Sequence, residues 1–361
     1  MMKIVKQDLK RLLRNPFYYI GFLLIAINVW ASCESYLNIH YFDSDYKPVQ
    51  LSDEEKVDLD IDKGYIPPAN MKERITIGLT EFRNRMLRDK VLSNEEIDTI
   101  IDEILDKNMS IEEAINYINK DGKIHISGDI FSEKESLKEG TATELNNYID
   151  EKLNNNTYTS YFAKKYVDYF GIHLVILNSL LLVFLTMYDF SNNTYELLHT
   201  KPLSSSKFII SKVISGSLSI LIFVVVITFF FDCVVTIYGL KHGLAVNFFD
   251  IWKYVLLCTI PSVIFSVCFC VFITTIFKKS IVAIPMMMLL ILYANQGIMV
   301  SGEYTYKHRL FQIISRFPEL FFETSINSTL IANQLLLIIL SIIMVVLSCK
   351  IWERNQSRCR Q

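Results

Sequence analysis

The chain has 361 residues, 51% of them hydrophobic, and its 36 basic and 38 acidic residues give a formal net charge of −2. The charge is sorted along the chain: residues 33–165 hold 28 acidic and 17 basic side chains, a net −11, and the remainder carries +9. Because Lys and Arg concentrate in the short cytoplasmic loops of membrane proteins, this sorting argues against a soluble domain. With no basic excess overall, we expect no nucleic-acid partner.

The first 15 residues predict an amphipathic helix that lies at the membrane surface. Apolar residues repeat at helical spacing, and basic side chains occupy much of the remaining surface, where anionic headgroups attract them. The basic residues are Lys3, Lys6, Lys10, Arg11 and Arg14. A cleaved signal peptide is the alternative, but Trp30 fits poorly before residues 31–33, and the later apolar runs favour an anchored first helix.

Six apolar runs approach the ~20 residues that a helix needs to span the hydrocarbon core. They are residues 16–32, 171–188, 213–238, 254–277, 281–300 and 330–349. Helices are expected because each backbone polar group in lipid must be satisfied within its own segment. The basic short loops and both termini then share the cytoplasmic side. The predicted fold is an all-α polytopic membrane protein, divided into residues 1–32, an extracytoplasmic domain at 33–165 and a transmembrane domain at 166–361.

The acidic residues 33–165 predict a mainly helical domain between the first two spans. Two S-x-x-E capping boxes, which begin at Ser93 and Ser110, mark helix starts. Isoleucines at helical spacing follow each box, so two short helices are expected to pack as a hairpin. Further helices are predicted from residue 75 to 90 and from Glu144 into the second span.

The polar residues show little sign of catalytic or metal chemistry. No phosphate-binding loop of the form G-x-x-x-x-G-K-[ST] occurs, so we expect no nucleotide hydrolysis by this chain. Asp58, Asp60 and Asp62 form a D-x-D-x-D run similar to a calcium loop. However, Lys63 stands where that loop needs glycine, and Ala69 stands where it needs a bidentate glutamate. A solvated acidic loop is therefore favoured, and no metal site is predicted.

Two ionisable side chains lie inside predicted spans, where such groups mark functional sites by default. His173 in the second span and Asp232 in the third are the candidates for an intramembrane polar site. Asp232 lies near the outer end of its span, so simple hydration is the competing and favoured interpretation. No Ser-His-Asp set or H-E-x-x-H motif indicates a membrane enzyme.

The loop after the second span predicts a short helix parallel to the membrane. Residues 194–200 are amphipathic, with Glu196 near the helix start, where the helix dipole favours an acid. Pro202 ends this helix, and serines 204–206 can cap the next one. Because it connects two spans, such a helix is well placed to transmit force from a cytosolic partner to them.

Three stretches resemble permeases of the type-2 ABC exporter superfamily: L-K-R-L-L-R-N-P at 9–16, Y-E-L-L-H-T-K-P-L-S at 195–204 and K-F-I-I-S-K at 207–212. The resemblance implies six spans, an interfacial helix and a coupling helix that docks on a separate cytosolic ATPase. The coupling residues that it implies are Thr194, Tyr195, Glu196, Leu197, Leu198, Thr200, Lys201 and Pro202. It also implies that ATP and magnesium bind the ATPase subunits, and that this chain holds no cofactor and is not an enzyme.

The same resemblance implies a dimer with a second permease copy or a paralogue, surrounded by lipid in a bacterial cell membrane. It places a partly re-entrant segment at residues 311–326. The large acidic domain departs from compact members of the superfamily and leaves the substrate open. An amphipathic peptide, antimicrobial or lipid-like molecule is expected. The alternative is a permease-like sensor or resistance module that binds an extracellular ligand through residues 33–165.

Overall fold

The computed structural model describes residues 1–46, 60–68, 70–120, 124, 126, 129–131, 137–187, 189, 204–300, 303–318 and 320–360. Most of these residues are helical, in agreement with the predicted all-α class. The helices are α1 (Met2–Leu13), α2 (Pro16–Cys33), α3 (Met71–Arg88), α4 (Asn94–Asp106), α5 (Ile111–Asn119), α6 (Ala142–Asn155), α7 (Tyr158–Met187), α8 (Ser205–Lys241), α9 (Asp250–Tyr254), α10 (Ile260–Phe277), α11 (Ala283–Asn295) and α12 (Ser328–Arg360). Two short antiparallel ladders pair β1 (Tyr65–Ile66) with β2 (Lys138–Glu139) and β3 (Ile298–Val300) with β4 (Glu303–Thr305).

Among the described residues, five helical stretches are long and apolar enough to cross a membrane. They are Pro16–Cys33, Tyr158–Met187, Ser205–Lys241, Asp250–Phe277 and Ser328–Ser357. The predicted span at 281–300 is not confirmed, because its helix α11 has 13 residues and ends at Asn295. At 1.5 Å per residue this helix covers about 20 Å, less than the ~30 Å of a hydrocarbon core. The residues that follow it leave the helix for the β3–β4 ladder.

Two of the five stretches form the centre of the membrane-spanning part. Of the 18 most apolar consecutive residues in each stretch, 61% are buried in α7 and 67% in Asp250–Phe277. The corresponding shares in Pro16–Cys33, Ser205–Lys241 and Ser328–Ser357 are 28%, 39% and 33%. The backbone of α8 approaches both central helices at Gly216, where a Cβ would lie 2.8 Å from Leu182 and 3.1 Å from Val267. The outer faces of α2, α8 and α12 keep large apolar side chains exposed, as lipid contact requires.

The stretch Asp250–Phe277 contains a π-helical turn at Val255–Thr259. Pro261 lies just beyond that turn, at the start of α10. Proline has no amide hydrogen, and its ring crowds the carbonyl four residues earlier, so a regular α-turn cannot form there. The wider π-turn lets α9 and α10 continue as one helical stretch through the proline.

The polar insert, residues 34–157, contains a helical module with its own core. Both predicted capping boxes are present, with Ser93 and Ser110 accepting amide hydrogen bonds at the starts of α4 and α5. The helix predicted at 75–90 is α3, which confirms that prediction within a few residues. The module's buried core is formed by Ile75, Leu79, Phe82, Met86, Ile97, Ile104, Ile111, Ala114, Ile118, Ile130 and Phe131.

The chain enters and leaves this module through the β1–β2 ladder, where Tyr65 pairs with Glu139 and Ile66 with Lys138. We call residues 60–66 and 137–139 the neck. The prediction that the aspartate run is a solvated loop is wrong for Asp60. This side chain is half-buried and accepts hydrogen bonds from the backbone amides of Ile61 and Phe321. Asp58 and Ala69, the first and last positions of the calcium-like pattern, lie outside the described residues.

The helix predicted to run from Glu144 into the second span is in fact two helices. The first, α6, ends at Asn155, and Asn156 is extended, with φ −151° and ψ 157°. The second, α7, begins at Tyr158, and Thr157 Oγ1 accepts a hydrogen bond from the Ser160 amide at 3.1 Å. This side-chain cap satisfies an amide that a new helix start would leave unpaired. The capping role of Thr157 therefore divides the predicted helix.

A methyl group at residue 78 should destabilise the module. The Cβ of Gly78→Ala would lie 2.3 Å from Phe131 Cδ1 and 2.8 Å from the Ile130 carbonyl oxygen. Because the second neighbour is backbone, α3 must shift, at a cost of about 1–3 kcal/mol that is typical of overpacking. Thermal unfolding followed by limited proteolysis of the full chain should give a lower midpoint for Gly78→Ala than for Thr80→Ala. Equal midpoints for these two substitutions in α3 would contradict the packing described here.

Candidate functional site

Three charged side chains meet where α1, the end of α7 and the start of α8 come together. Lys212 Nζ lies 2.8 Å from Asp8 Oδ2 and 2.6 Å from Asp189 Oδ2. Ser215 Oγ lies 3.3 Å from the same Asp8 oxygen. Asp8 and Lys212 are each 3% exposed, so the ion pairs are shielded from water. We call Asp8, Asp189 and Lys212 the charge cluster.

Local sequence places each member of the cluster. Asp8 shares the buried face of α1 with Val5 and Leu12, at spacings of three and four residues. Asp189 lies two residues beyond the end of α7, and Lys212 lies in the first turns of α8. The cluster therefore joins the end of α7 and the first turns of α8, which flank residues 190–203, to α1.

Burial makes this arrangement depend on its charge balance. An isolated charge in such a site is very unfavourable, and an ion pair offsets that cost only when its geometry is good. Burial raises the pKa of the Asp189 carboxyl, and the positive charges of Lys212 and Arg11 oppose that rise. Lys212 is the cation that both carboxylates contact, so the cluster depends on its charge.

An aromatic pair connects α12 to the same place. The rings of Phe208 and Trp352 are stacked with their centroids 4.2 Å apart, and Trp352 is 2% exposed. Lys212 Nζ lies 5.4 Å from the centroid of the Phe208 ring, within the range of a cation–π interaction. The last turns of α12 therefore pack beside the charge cluster.

The predicted interfacial residues of α1 lie on two different faces. Lys6, Lys10 and Arg14 are exposed, as a helix at a headgroup surface requires. Arg11 is half-buried and contributes to the field at Asp189. The interfacial role of the three exposed residues stays a prediction, whereas Arg11 belongs with the buried charges.

The structure does not bring the two predicted intramembrane residues together. His173 Nδ1 lies 2.8 Å from the Tyr169 carbonyl oxygen of its own helix. Asp232 is fully buried and accepts a hydrogen bond from Trp252 Nε1 at 2.8 Å. Among the described hydrogen bonds and ion pairs, none joins His173 to Asp232. The Trp252 contact ties α8 to α9, which is a packing role for Asp232, and the functional prediction for both residues stays a prediction.

The predicted coupling helix lies outside the described residues. This applies to Thr194, Tyr195, Glu196, Leu197, Leu198, Thr200, Lys201 and Pro202. The described residues nearest to it are Asp189 on one side and Ser204 on the other. Ser204 Oγ accepts a hydrogen bond from the Lys207 amide at 3.4 Å and caps α8, in agreement with the predicted capping by the serine run.

The comparison with protein families decides the class of the chain. The family model described as "ABC-2 family transporter protein" matches residues 26–350. The chain belongs to this family. No curated protein and no solved structure matched in the corresponding searches. As a member of the ABC-2 family with several apolar helices, the chain is a multi-pass membrane protein of transport permease type.

Sequence reasoning missed the charge cluster in this ABC-2 family member, although a signal was present. Asp8 is the one acidic residue among the first 33, and it occupies the apolar face of a basic helix. An acid on the buried face of a helix needs a cationic partner in the fold. Only the packing of α1 against α8 identifies that partner as Lys212.

Removing the Lys212 charge should destabilise the protein strongly. Lys212→Ala leaves two buried carboxylates facing each other, and breaking a buried ion pair in this way costs about 3–5 kcal/mol. Thermal unfolding of the purified chain in detergent should show a large drop in midpoint. Lys207→Ala, at an exposed position of α8 five residues earlier, is the matched control and should behave as wild type.

A neutral version of the cluster separates charge balance from packing. The triple variant Asp8→Asn, Lys212→Met, Asp189→Asn carries no buried charge at these positions and should recover most of the stability that Lys212→Ala loses. If Lys212→Ala unfolds at the same temperature as Lys207→Ala, the cluster is not the buried ion network described here.

Proposed function

We propose that the chain is the permease subunit of an ATP-driven exporter, powered by a separate cytosolic ATPase with its own ATP and magnesium. The observation that supports this most directly is the charge cluster. It joins both ends of the loop that contains residues 194–202 to α1 through buried ion pairs of 2.6–2.8 Å. In the proposed mechanism, a force on that loop reaches α1 and the spanning helices α7 and α8 through these ion pairs.

The proposed mechanism follows from this mechanical link. The ATPase presses on residues 194–202, and the loop moves together with Asp189 and Lys212. Since α7 contacts α2, α8, α10 and α11, its displacement moves these helices relative to one another. Alternating access then arises as a shift between two arrangements of the bundle that ATP binding and release populate in turn.

In the orientation that we propose, α1, the charge cluster and both termini are cytoplasmic, and the insert is outside the cell. The distribution of charge supports this orientation, since residues 33–165 carry a net charge of −11 and the rest of the chain carries a net charge of +9. The six-span topology requires the short helix α11 and its neighbouring residues to cross the membrane. A second permease copy would complete the translocation unit.

Thiol labelling of intact cells tests this orientation. A membrane-impermeant maleimide should modify Thr99→Cys, an exposed position of α4, and should modify Lys10→Cys of α1 only after permeabilisation. The parent chain, treated in the same way, gives the background from its own cysteines. Labelling of Lys10→Cys in intact cells would place the proposed coupling loop on the wrong side and reject the ATPase contact.

Substitutions in the loop test the coupling itself. Glu196→Lys combined with Pro202→Ala should lower ATP-dependent transport about tenfold, within the usual range of coupling energies, while membrane insertion stays normal. The measurement is transport by the permease reconstituted with its ATPase. Glu353→Lys, a charge reversal at an exposed position of α12, is the control. Transport by the double variant at the rate of the control would reject the coupling assignment.

The cargo that we propose is an amphipathic peptide, antimicrobial or lipid-like molecule. The net charge of −11 on residues 33–165 favours a cationic cargo on electrostatic grounds. The alternative is a permease-like sensor or resistance module, and the separate core of α3–α5 favours it, because such a module can bind a ligand by itself. Deletion of residues 70–131 distinguishes the two: an exporter keeps its efflux, whereas a sensor loses its ligand response.

A further inference from the structure

Between β4 and α12, most of the described residues from 312 to 324 are buried, although the described part of this connection contains no helix or strand. We call residues 306–327 the β4–α12 segment. The side chains of Ile313, Phe317 and Phe321 are at most 1% exposed. Irregular backbone cannot pair its own amides in a ladder, so the buried amides of this segment need acceptors elsewhere in the fold.

Two carboxylates from different parts of the fold supply such acceptors. Asp168 of α7 accepts a hydrogen bond from the Phe317 amide at 2.8 Å, and its other oxygen lies 2.7 Å from Arg316 Nε. Asp60 of the neck accepts a hydrogen bond from the Phe321 amide at 2.8 Å. The segment is therefore held at two points four residues apart, once by a membrane-spanning helix and once by the insert.

The insert makes further contacts just beyond the Phe321 amide. Glu323 Oε1 accepts hydrogen bonds from Lys152 Nζ at 2.7 Å and from the Tyr148 hydroxyl at 3.2 Å, both on α6. Leu320 packs in a buried cluster with Tyr65 and Leu137, which lie at the β1–β2 ladder. Polar and apolar contacts thus fasten the same few residues to the neck and to α6.

The segment is also held by α7. Lys164 Nζ donates to the Thr324 carbonyl oxygen at 2.9 Å, and Lys165 Nζ donates to the Pro318 carbonyl oxygen. The Phe321 ring packs against aromatic rings of α7, such as Tyr161 at 5.9 Å between centroids. The segment thus contacts both α7 and the insert, and its Phe321 amide and Glu323 carboxylate bind to the insert.

We propose that the neck and α6 form a latch on the β4–α12 segment, so that the position of the insert decides whether residues 320–323 are held or released. The latch is argued from contacts within this chain. It rests on the proposed function only for the placement of this segment on the outer side of an exporter. The chain enters and leaves α3–α5 through the β1–β2 ladder, and residues 129–131 of the module also contact β4, so a ligand bound to that module acts on the segment through the neck and through β4. By linkage, the state of the segment also changes the affinity of the module for that ligand.

Hydrogen exchange in the full-length chain, purified and placed in lipid nanodiscs, tests the latch without any transport assay. Asp60→Asn keeps the size of the side chain but offers one carbonyl acceptor where two amides donate. The peptide that contains Phe321 should then exchange about tenfold faster, because one amide loses its partner and the segment opens locally. Asp62→Asn, the same substitution two residues away, is the matched control and should leave that exchange unchanged.

A cross-link gives the opposite perturbation. Lys152→Cys with Glu323→Cys, joined by a short reducible bis-thiosulfonate, should slow exchange of residues 315–323 below the wild-type rate, and reduction should restore it. Arg83→Cys with Asp98→Cys replaces an ion pair of 2.9 Å inside the module and serves as the control cross-link, which should not change that exchange. Both pairs replace one basic and one acidic side chain, so charge removal is matched.

Each outcome decides the proposal independently of the ATPase. The latch is supported if Asp60→Asn speeds exchange and Asp62→Asn does not. It also requires that the cross-link between residues 152 and 323 slows exchange and that the control cross-link does not. Equal exchange in Asp60→Asn and Asp62→Asn overturns it, and so does a cross-linked α6 pair that exchanges as fast as wild type. Failure of the proposed export function would appear in the loop and topology experiments and would leave these exchange rates as they are.

Discussion

A charge or an amide that the fold shields from water must find its partner within the protein, because an unpaired buried polar group is costly. The most consequential case in this chain is the buried ion network of Asp8, Lys212 and Asp189. It fixes α1 against α8 and joins the end of α7 to the first turns of α8. Every step of the proposed coupling mechanism depends on these three side chains moving together.

The same constraint acts at the other end of α7, on irregular backbone rather than on a helix end. The β4–α12 segment buries amides that it cannot pair itself, and the carboxylates of Asp168 and Asp60 accept two of them. One acceptor belongs to a spanning helix and the other to the insert. The helix α7 thus connects a charge network near its C-terminus to a hydrogen-bonded segment near its N-terminus.

Local sequence signals predicted local structure well. The capping boxes at Ser93 and Ser110 predicted the starts of α4 and α5, because capping depends only on residues three positions apart. The predicted fifth span, residues 281–300, is not confirmed, for a different reason. The apolar run continues to Val300, but the backbone leaves the helix at Asn295 for a β ladder, in which β4 begins three residues after β3 ends. Pairing of this kind has no hydropathy signal.

The sequence by itself determined the class of the protein: apolar runs of membrane length, a charge-sorted insert and the absence of a nucleotide-binding motif are properties of composition and order. Tertiary structure alone decided which charges are partners. Lys212 binds Asp8, which is 204 residues away in the sequence, and the Phe321 amide donates to Asp60, which is 261 residues away. Such contacts leave no periodic pattern, because their energy comes from burial and charge pairing that exist only after the helices have packed.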